Sequence, residues 1–160
     1  MRAVVQRVKK ASVSVSGKEA GSIKKGLLVF LGVGTNDTRD DLNYMVSKIA
    51  NLRAFQDENG KMNLNLLDIG GDILVVSQFT LFGDCRKGRR PSFTSAAPPD
   101  LAQNFYNDFI SEIQQQGIKV SSGVFQEMME VSLVNDGLLP FSLTAKNSFR
   151  LSTNINFYGS

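Results

Sequence analysis

The chain has 160 residues, 42% hydrophobic and 21% charged, with a net charge of +3 and no histidine. That size and balance describe one soluble globular domain with a core of its own, not a disordered chain, and no apolar run approaches the ~20 residues of a membrane span. A single cysteine, Cys85, leaves no intrachain disulfide or Cys-x-x-Cys site, and without histidine a structural zinc is excluded.

The N-terminus, Met1 to Val8, is too charged and too short in its apolar part for a secretory signal, so a cytoplasmic location is expected. Residues 2–8 and 11–15 read as two strands, the second alternating Ala11, Val13, Val15 with Ser12, Ser14, Ser16. Ser16-Gly17-Lys18 reads as a turn, and breaks at Gly21 and Gly26 frame a strand pair ending in the fully buried run Leu27 to Val33. Cap-type residues at Thr35 to Asp37 precede Leu42, Met45, Val46 and Ile49, whose spacing predicts an amphipathic helix. Asp57-Glu58-Asn59-Gly60 predicts a tight turn, and Gly70-Gly71 a break before the apolar strand Asp72 to Val76.

Pro98-Pro99-Asp100 opens a second helix with apolar positions Leu101, Phe105, Phe109 and Ile113, stopped by Gly117. Val124 to Leu133 and Leu138 to Leu143 read as two further strands joined by a hairpin turn at Asn135-Asp136-Gly137. The expected fold is α/β of the α+β type: one domain, a mainly antiparallel sheet and two principal helices. Residues 147–160, rich in Ser and Asn, read as a C-terminal extension, either a loose tail or an added edge strand.

The strand from Asp72 runs straight into the hydroxyl and amide cluster Ser77-Gln78-Phe79-Thr80. Ser77 and Thr80 are weak nucleophiles without a base, and no imidazole exists to serve as one. Asp72 and Asp84 bracket the segment, but Asp72 lies far along the strand from Thr80. Hydrogen bonding across strands or in a turn is the plainer role for either hydroxyl. Backbone amides near Gln78 and Phe79 remain able to stabilise an oxyanion, a role that needs donors and no base. Phe79 and Met129, read by residue type, belong in a core. Arg86-Lys87-Gly88-Arg89-Arg90-Pro91 sets four cations in a Gly- and Pro-punctuated loop. By itself such a loop suits a phosphate backbone or a solvated surface equally.

Together these segments resemble the D-aminoacyl-tRNA deacylase family over residues 1–146. Gln6-Arg7-Val8 with Ala11-Ser12-Val13 resembles the family's N-terminal strands, Ser77-Gln78-Phe79-Thr80-Leu81 matches its signature, and Arg86 to Phe93 is similar to its basic loop. Val131 to Gly137 matches the segment leading into a second signature, Gly followed by a cis proline whose carbonyls exclude L-amino acids. Here Leu138 follows Gly137 and proline appears only at Pro140. A non-proline cis bond costs about 2.5–4 kcal/mol, so Gly137–Leu138 is expected trans.

The resemblance implies a barrel-like homodimer with active sites at the interface, hydrolysing the ester of D-aminoacyl-tRNA. It implies catalysis through Ser77, Gln78, Phe79, Thr80 and Gly137, with main-chain atoms and the terminal ribose hydroxyl doing most of the chemistry. Arg7, which would hold the loop around Gly137, and Met129, Phe125 and Leu138 would border the substrate. Arg86, Lys87, Arg89 and Arg90 would contact tRNA. No metal, cofactor or membrane is implied. The departure at Leu138 adds two alternatives: a deacylase shifted toward glycyl- or L-alanyl-tRNA, and a nucleic-acid-binding homologue without catalysis.

Overall fold

A computed structural model describes residues 1–145 of the chain; the expected 147–160 extension lies outside them. Eight strands, β1 (Arg2–Val15), β2 (Lys18–Ile23), β3 (Gly26–Gly32), β4 (Phe55–Gln56), β5 (Met62–Leu64), β6 (Asp72–Ser77), β7 (Val120–Ser122) and β8 (Met129–Thr144), accompany two helices, α1 (Arg39–Ala50) and α2 (Pro99–Gln115). The main sheet runs β2-β1-β3-β6-β7, with β8 on the other edge of β1. β1 pairs antiparallel with β2, β3 and β8, while β6 lies parallel between β3 and β7. The Ser121 hydroxyl of β7 reaches the Ser22 carbonyl of β2 (2.9 Å), so the sheet curls into a nearly closed barrel.

Period-two alternation sorts the strand residues between two cores. Leu28, Leu74 and Val76 face inward with Val8, Ala11, Val13 and Ile23. Leu27, Val29, Leu31, Ile73 and Val75 face the helices, where Leu42, Met45, Val46 and Ile49 of α1 and Tyr106, Phe109 and Ile113 of α2 cover them. Each such side chain contributes on the order of 2 kcal/mol by leaving water, far more than helix propensity supplies. The N-cap of α1 is Thr38, in a reciprocal capping box with Asp41.

Three readings from sequence are corrected. The proposed strands 2–8 and 11–15 are one strand, β1, in which buried positions pass from Met1, Ala3 and Val5 to Val8 and then to Ala11 and Val13. Irregular pairing between Gln6 and Lys10 absorbs these changes of parity. Likewise, Asn135-Asp136-Gly137 is not a hairpin turn. It lies inside the continuous β8, where Gln6 pairs with Pro140 and Val8 with Asn135, so two steps of β1 face five of β8. The excess is a bulge, and Gly137 takes the left-handed conformation it needs (φ +78°). Residues 124–128 precede β8 as turn and irregular structure, and not as strand.

Candidate active site

β6, buried between its neighbours, delivers Ser77 opposite Leu31 of β3. One more ladder bond follows, from the Gln78 N–H to the Leu31 carbonyl (2.8 Å), and the chain then coils into a short 3-10 turn, Phe79–Phe82. Gly32 lets this turn sit against the end of β3, because a Cβ there would stand 2.9 Å from the Gln78 carbonyl oxygen. Arg2 clamps the far side, donating to the Leu81 carbonyl (2.8 Å) while its guanidinium lies 4.6 Å over the Phe82 ring.

This geometry decides which groups are available. The Gln78 N–H is consumed by Leu31 and the Leu81 N–H by the Gln78 carbonyl (3.3 Å). The N–H groups of Phe79 and Thr80 open the turn and have no acceptor among the described residues. Of the backbone amides expected to be available near Gln78 and Phe79, that of Gln78 is engaged, and the free pair is Phe79 and Thr80. The Gln78 side-chain amide donates to Thr80 Oγ, which leaves the Thr80 O–H itself free to donate. Phe79 does not enter the core: it is 59% exposed, with its ring edge-to-face against Phe93 at 5.1 Å. Met129 is half-buried against the inner core that holds Val76, the neighbour of Ser77.

Neither carboxylate that brackets the turn, among the described residues, is placed to act as its general base. Asp72 lies five residues back along β6, about 16 Å away. Asp84 is hydrogen-bonded by the Arg86 side chain and N–H, which hold its carboxyl down at about 2, too weak a base at neutral pH to take a proton from a hydroxyl. The basic segment is a loop closed by paired bonds between Asp84 and Ser92 (2.8 and 3.0 Å), and Phe93 anchors it beside Phe79. Arg86 is engaged by Asp84, whereas Lys87, Arg89 and Arg90 stand exposed without an ion-pair partner among the described residues.

The second set of residues gathers elsewhere. Arg7, 9% exposed, donates from Nε to the Asp136 carbonyl and from Nη1 to the Ala54 carbonyl, both at 2.8 Å, with the Asp136 carboxylate 3.5 Å away. It thereby holds the Gly137 bulge in place. Among the described residues every peptide bond is trans, Gly137–Leu138 included, and Leu138 is 88% exposed. Phe125 is not part of this set: it packs at 5.9 Å against Tyr106, whose hydroxyl bonds the Val75 carbonyl of β6.

Within one chain these two groups do not meet. β1 and β3 separate β8 from β6, and Gly137 lies level with Arg7 whereas Ser77 lies level with Ala3. That is about 13 Å along the strands and about 14 Å across them. Surface cavities of about 240 and 310 Å³ occur at Arg2, Asp37 and Phe82 and at Lys10, Ser12 and Ser132; neither is lined by residues 77–80, Met129 or Gly137.

Sequence reasoning missed Arg2 as a clamp and Phe93 as the ring beneath Phe79. It also missed Tyr106, whose hydroxyl donates to the Val75 carbonyl (2.8 Å). Burial pushes that phenol up to about 12. The spacing of α2 had favoured its neighbour Phe105, which is only half-buried.

Known proteins resemble this chain in sequence and in fold. The sequence profile of the family described as D-Tyr-tRNA(Tyr) deacylase matches residues 4–144. D-aminoacyl-tRNA deacylases of Thermosipho africanus and Syntrophobacter fumaroxidans are each 56% identical over 149 residues, which is 93% of this chain and all of each relative. A solved structure described as a c-Myc DNA unwinding element binding protein superposes with a TM-score of 0.86 at 40% identity, over 91% of this chain and 99% of that one. Another, described as a probable eukaryotic D-amino acid tRNA deacylase, superposes at 0.76 with 18% identity, over 89% and 96%, a likeness of fold. With a family profile spanning nearly all the described residues and relatives identical at more than half their positions, this chain belongs to the D-Tyr-tRNA(Tyr) deacylase family.

Proposed function

We propose that this protein hydrolyses the ester joining a D-amino acid to the terminal ribose of tRNA, and that it does so as a homodimer in the cytoplasm. The observation that carries the chemistry is the Phe79–Thr80 turn: two N–H groups and a hydroxyl donor side by side, free among the described residues, with Asp72 distant and Asp84 held by Arg86. Such a wall suits a substrate that is already reactive. The Phe79 and Thr80 N–H groups stabilise the oxyanion as the acyl carbon is attacked, and the Thr80 hydroxyl orients the substrate. Water, aided by the neighbouring ribose hydroxyl, forms the new C–O bond; the bond to the ribose oxygen breaks and the proton passes to that oxygen. Positioning supplies most of the acceleration, so histidine is dispensable. Ser77 and Gln78 hold the turn, and Met129 and Phe125 border the amino acid. Lys87, Arg89, Arg90 and the Asp84-held Arg86 meet the tRNA phosphates.

The separation of the two groups supports the dimer reading. Gly137 and Leu138 complete the site only if a second copy presents them to the Phe79 turn, and the exposure of Leu138, Val134 and Leu133 on β8 gives that copy an apolar surface to cover. Arg7 fixes where the Gly137–Leu138 peptide points its oxygen and so sets the chirality filter.

The test is release of tyrosine from D-tyrosyl- and L-tyrosyl-tRNA by purified, folded protein. Fast release of the D form alone is expected; a rate no higher than the spontaneous one refutes the reading. Glycyl-, D-alanyl- and L-alanyl-tRNA in the same assay locate the chirality filter. Shared sites are tested by mixing Thr80→Val with Gly137→Ala protein after reversible dissociation. Each alone is impaired, and random pairing restores about a quarter of wild-type activity, since half the dimers carry one intact site. No recovery places both groups in one chain.

A further inference from the structure

The first 36 residues carry seven cations, Arg2, Arg7, Lys9, Lys10, Lys18, Lys24 and Lys25, against one carboxylate, Glu19. Four of them are brought together by strand register. Val8 pairs with Gly26 and Ala11 with Ile23, so Lys9-Lys10 on β1 run alongside Lys24-Lys25 in the bend between β2 and β3. Adjacent chains lie about 4.8 Å apart.

In regular alternation one lysine of each pair would turn toward the core. Here two steps of β1, Val8 to Lys10, span a single step of β8, from Asn135 to Val134, making Lys9 the extra residue of a bulge. With Val8 and Ala11 both buried, Lys9 and Lys10 are both exposed, as are Lys24 and Lys25. None of the four forms an ion pair among the described residues. The neighbouring carboxylates have other partners: Asp72 faces Lys119 (3.9 Å), Asp136 faces Arg7, and Glu19 accepts from Ser22. Four unneutralised like charges packed this closely repel one another, and a polyanion relieves that repulsion.

We infer that this lysine cluster is a second contact surface for an RNA phosphate backbone, separate from the Arg86–Arg90 loop. It rests on the deacylase reading only in taking that RNA to be tRNA. The loop then meets the acceptor end beside the Phe79 turn, and the lysines meet phosphates farther along the body.

The test measures binding of uncharged tRNA against salt, using wild-type protein, Lys9/Lys10/Lys24/Lys25→Ala, the same four changed to Arg, and Lys24/Lys25→Ala as the milder variant. The slope of log affinity against log salt should fall by about three in the fourfold alanine variant and by about one and a half in the twofold, and stay put in the arginine variant. KM for full-length D-aminoacyl-tRNA should rise while kcat is unchanged, and an aminoacylated acceptor minihelix should show no change in KM. An unchanged slope in the folded alanine variants overturns the inference, as does lysine-dependent binding to anionic phospholipid vesicles with none to tRNA. Failure of wild-type protein to release D-amino acids, with a lysine-dependent slope intact, would instead sink the activity and leave this surface standing.

Discussion

Replacing Arg7 by Ala probes the link between the barrel and the Gly137 bulge. Two charge-assisted bonds at 2.8 Å disappear, leaving the Asp136 and Ala54 carbonyls without that donor in a site where Arg7 is nine-tenths buried. Bonds from a charged donor contribute about 1.5–3 kcal/mol each, so a loss of about 3–5 kcal/mol is expected. Against a domain stability of about 5–15 kcal/mol that loss lowers the melting temperature by roughly 10 °C. Gly137→Ala costs about 1–2 kcal/mol for a left-handed alanine, and its new Cβ stands 3.3 Å from Arg7 Nη2. Because that contact vanishes with Arg7, the double variant should be less destabilised than the two single effects combined, by about 0.5–1 kcal/mol. Urea denaturation of the four proteins measures this. Additivity within about 0.3 kcal/mol would show that Arg7 and Gly137 do not act on each other. In deacylation, a shift of the bulge by about 1 Å should lower kcat/KM about 100-fold under conditions where Arg7→Ala is folded, and unchanged kcat/KM there would remove Arg7 from the site.

Other substitutions test the facing wall and the electrostatics. Thr80→Val should leave the melting temperature nearly unchanged, since Thr80 is exposed, while lowering kcat about 10- to 100-fold; Thr80→Ser should restore most of it. Arg89/Arg90→Ala should weaken tRNA binding and reduce its salt slope by about one and a half, and unchanged affinity would free the loop of its role. Tyr106 supplies a pH test: its phenol titrates near 10 when unfolded but at about 12 in the fold. Its contribution is therefore complete below pH 10 and lost as pH rises toward 12, on the order of 2–3 kcal/mol in all. Tyr106→Phe should flatten that part of the stability curve, and an equally steep decline would assign it to other groups.

The amino-acid sequence by itself determined the local elements and the kind of chemistry available. The short apolar runs of β3 and β6 preceded by glycines, the three-and-four spacing of α1 and the prolines opening α2 are each local signals of the element they form. A chain without histidine, with its hydroxyl and amide cluster at a strand end, offers those hydroxyls no imidazole as a base. What tertiary structure decided was everything that depends on pairing. Asn-Asp-Gly suits a hairpin turn and a bulge alike, since both need a left-handed glycine, and only the register against β1 makes it a bulge in β8. Which N–H groups are free near Gln78 depends on Leu31, 47 residues earlier, taking the Gln78 donor. Two pairs of lysines 15 residues apart become one cluster through strand register. Finally, two strands intervene between Gly137 and Ser77, a separation no motif spacing encodes, because contact across a sheet is set by strand order and not by distance along the chain.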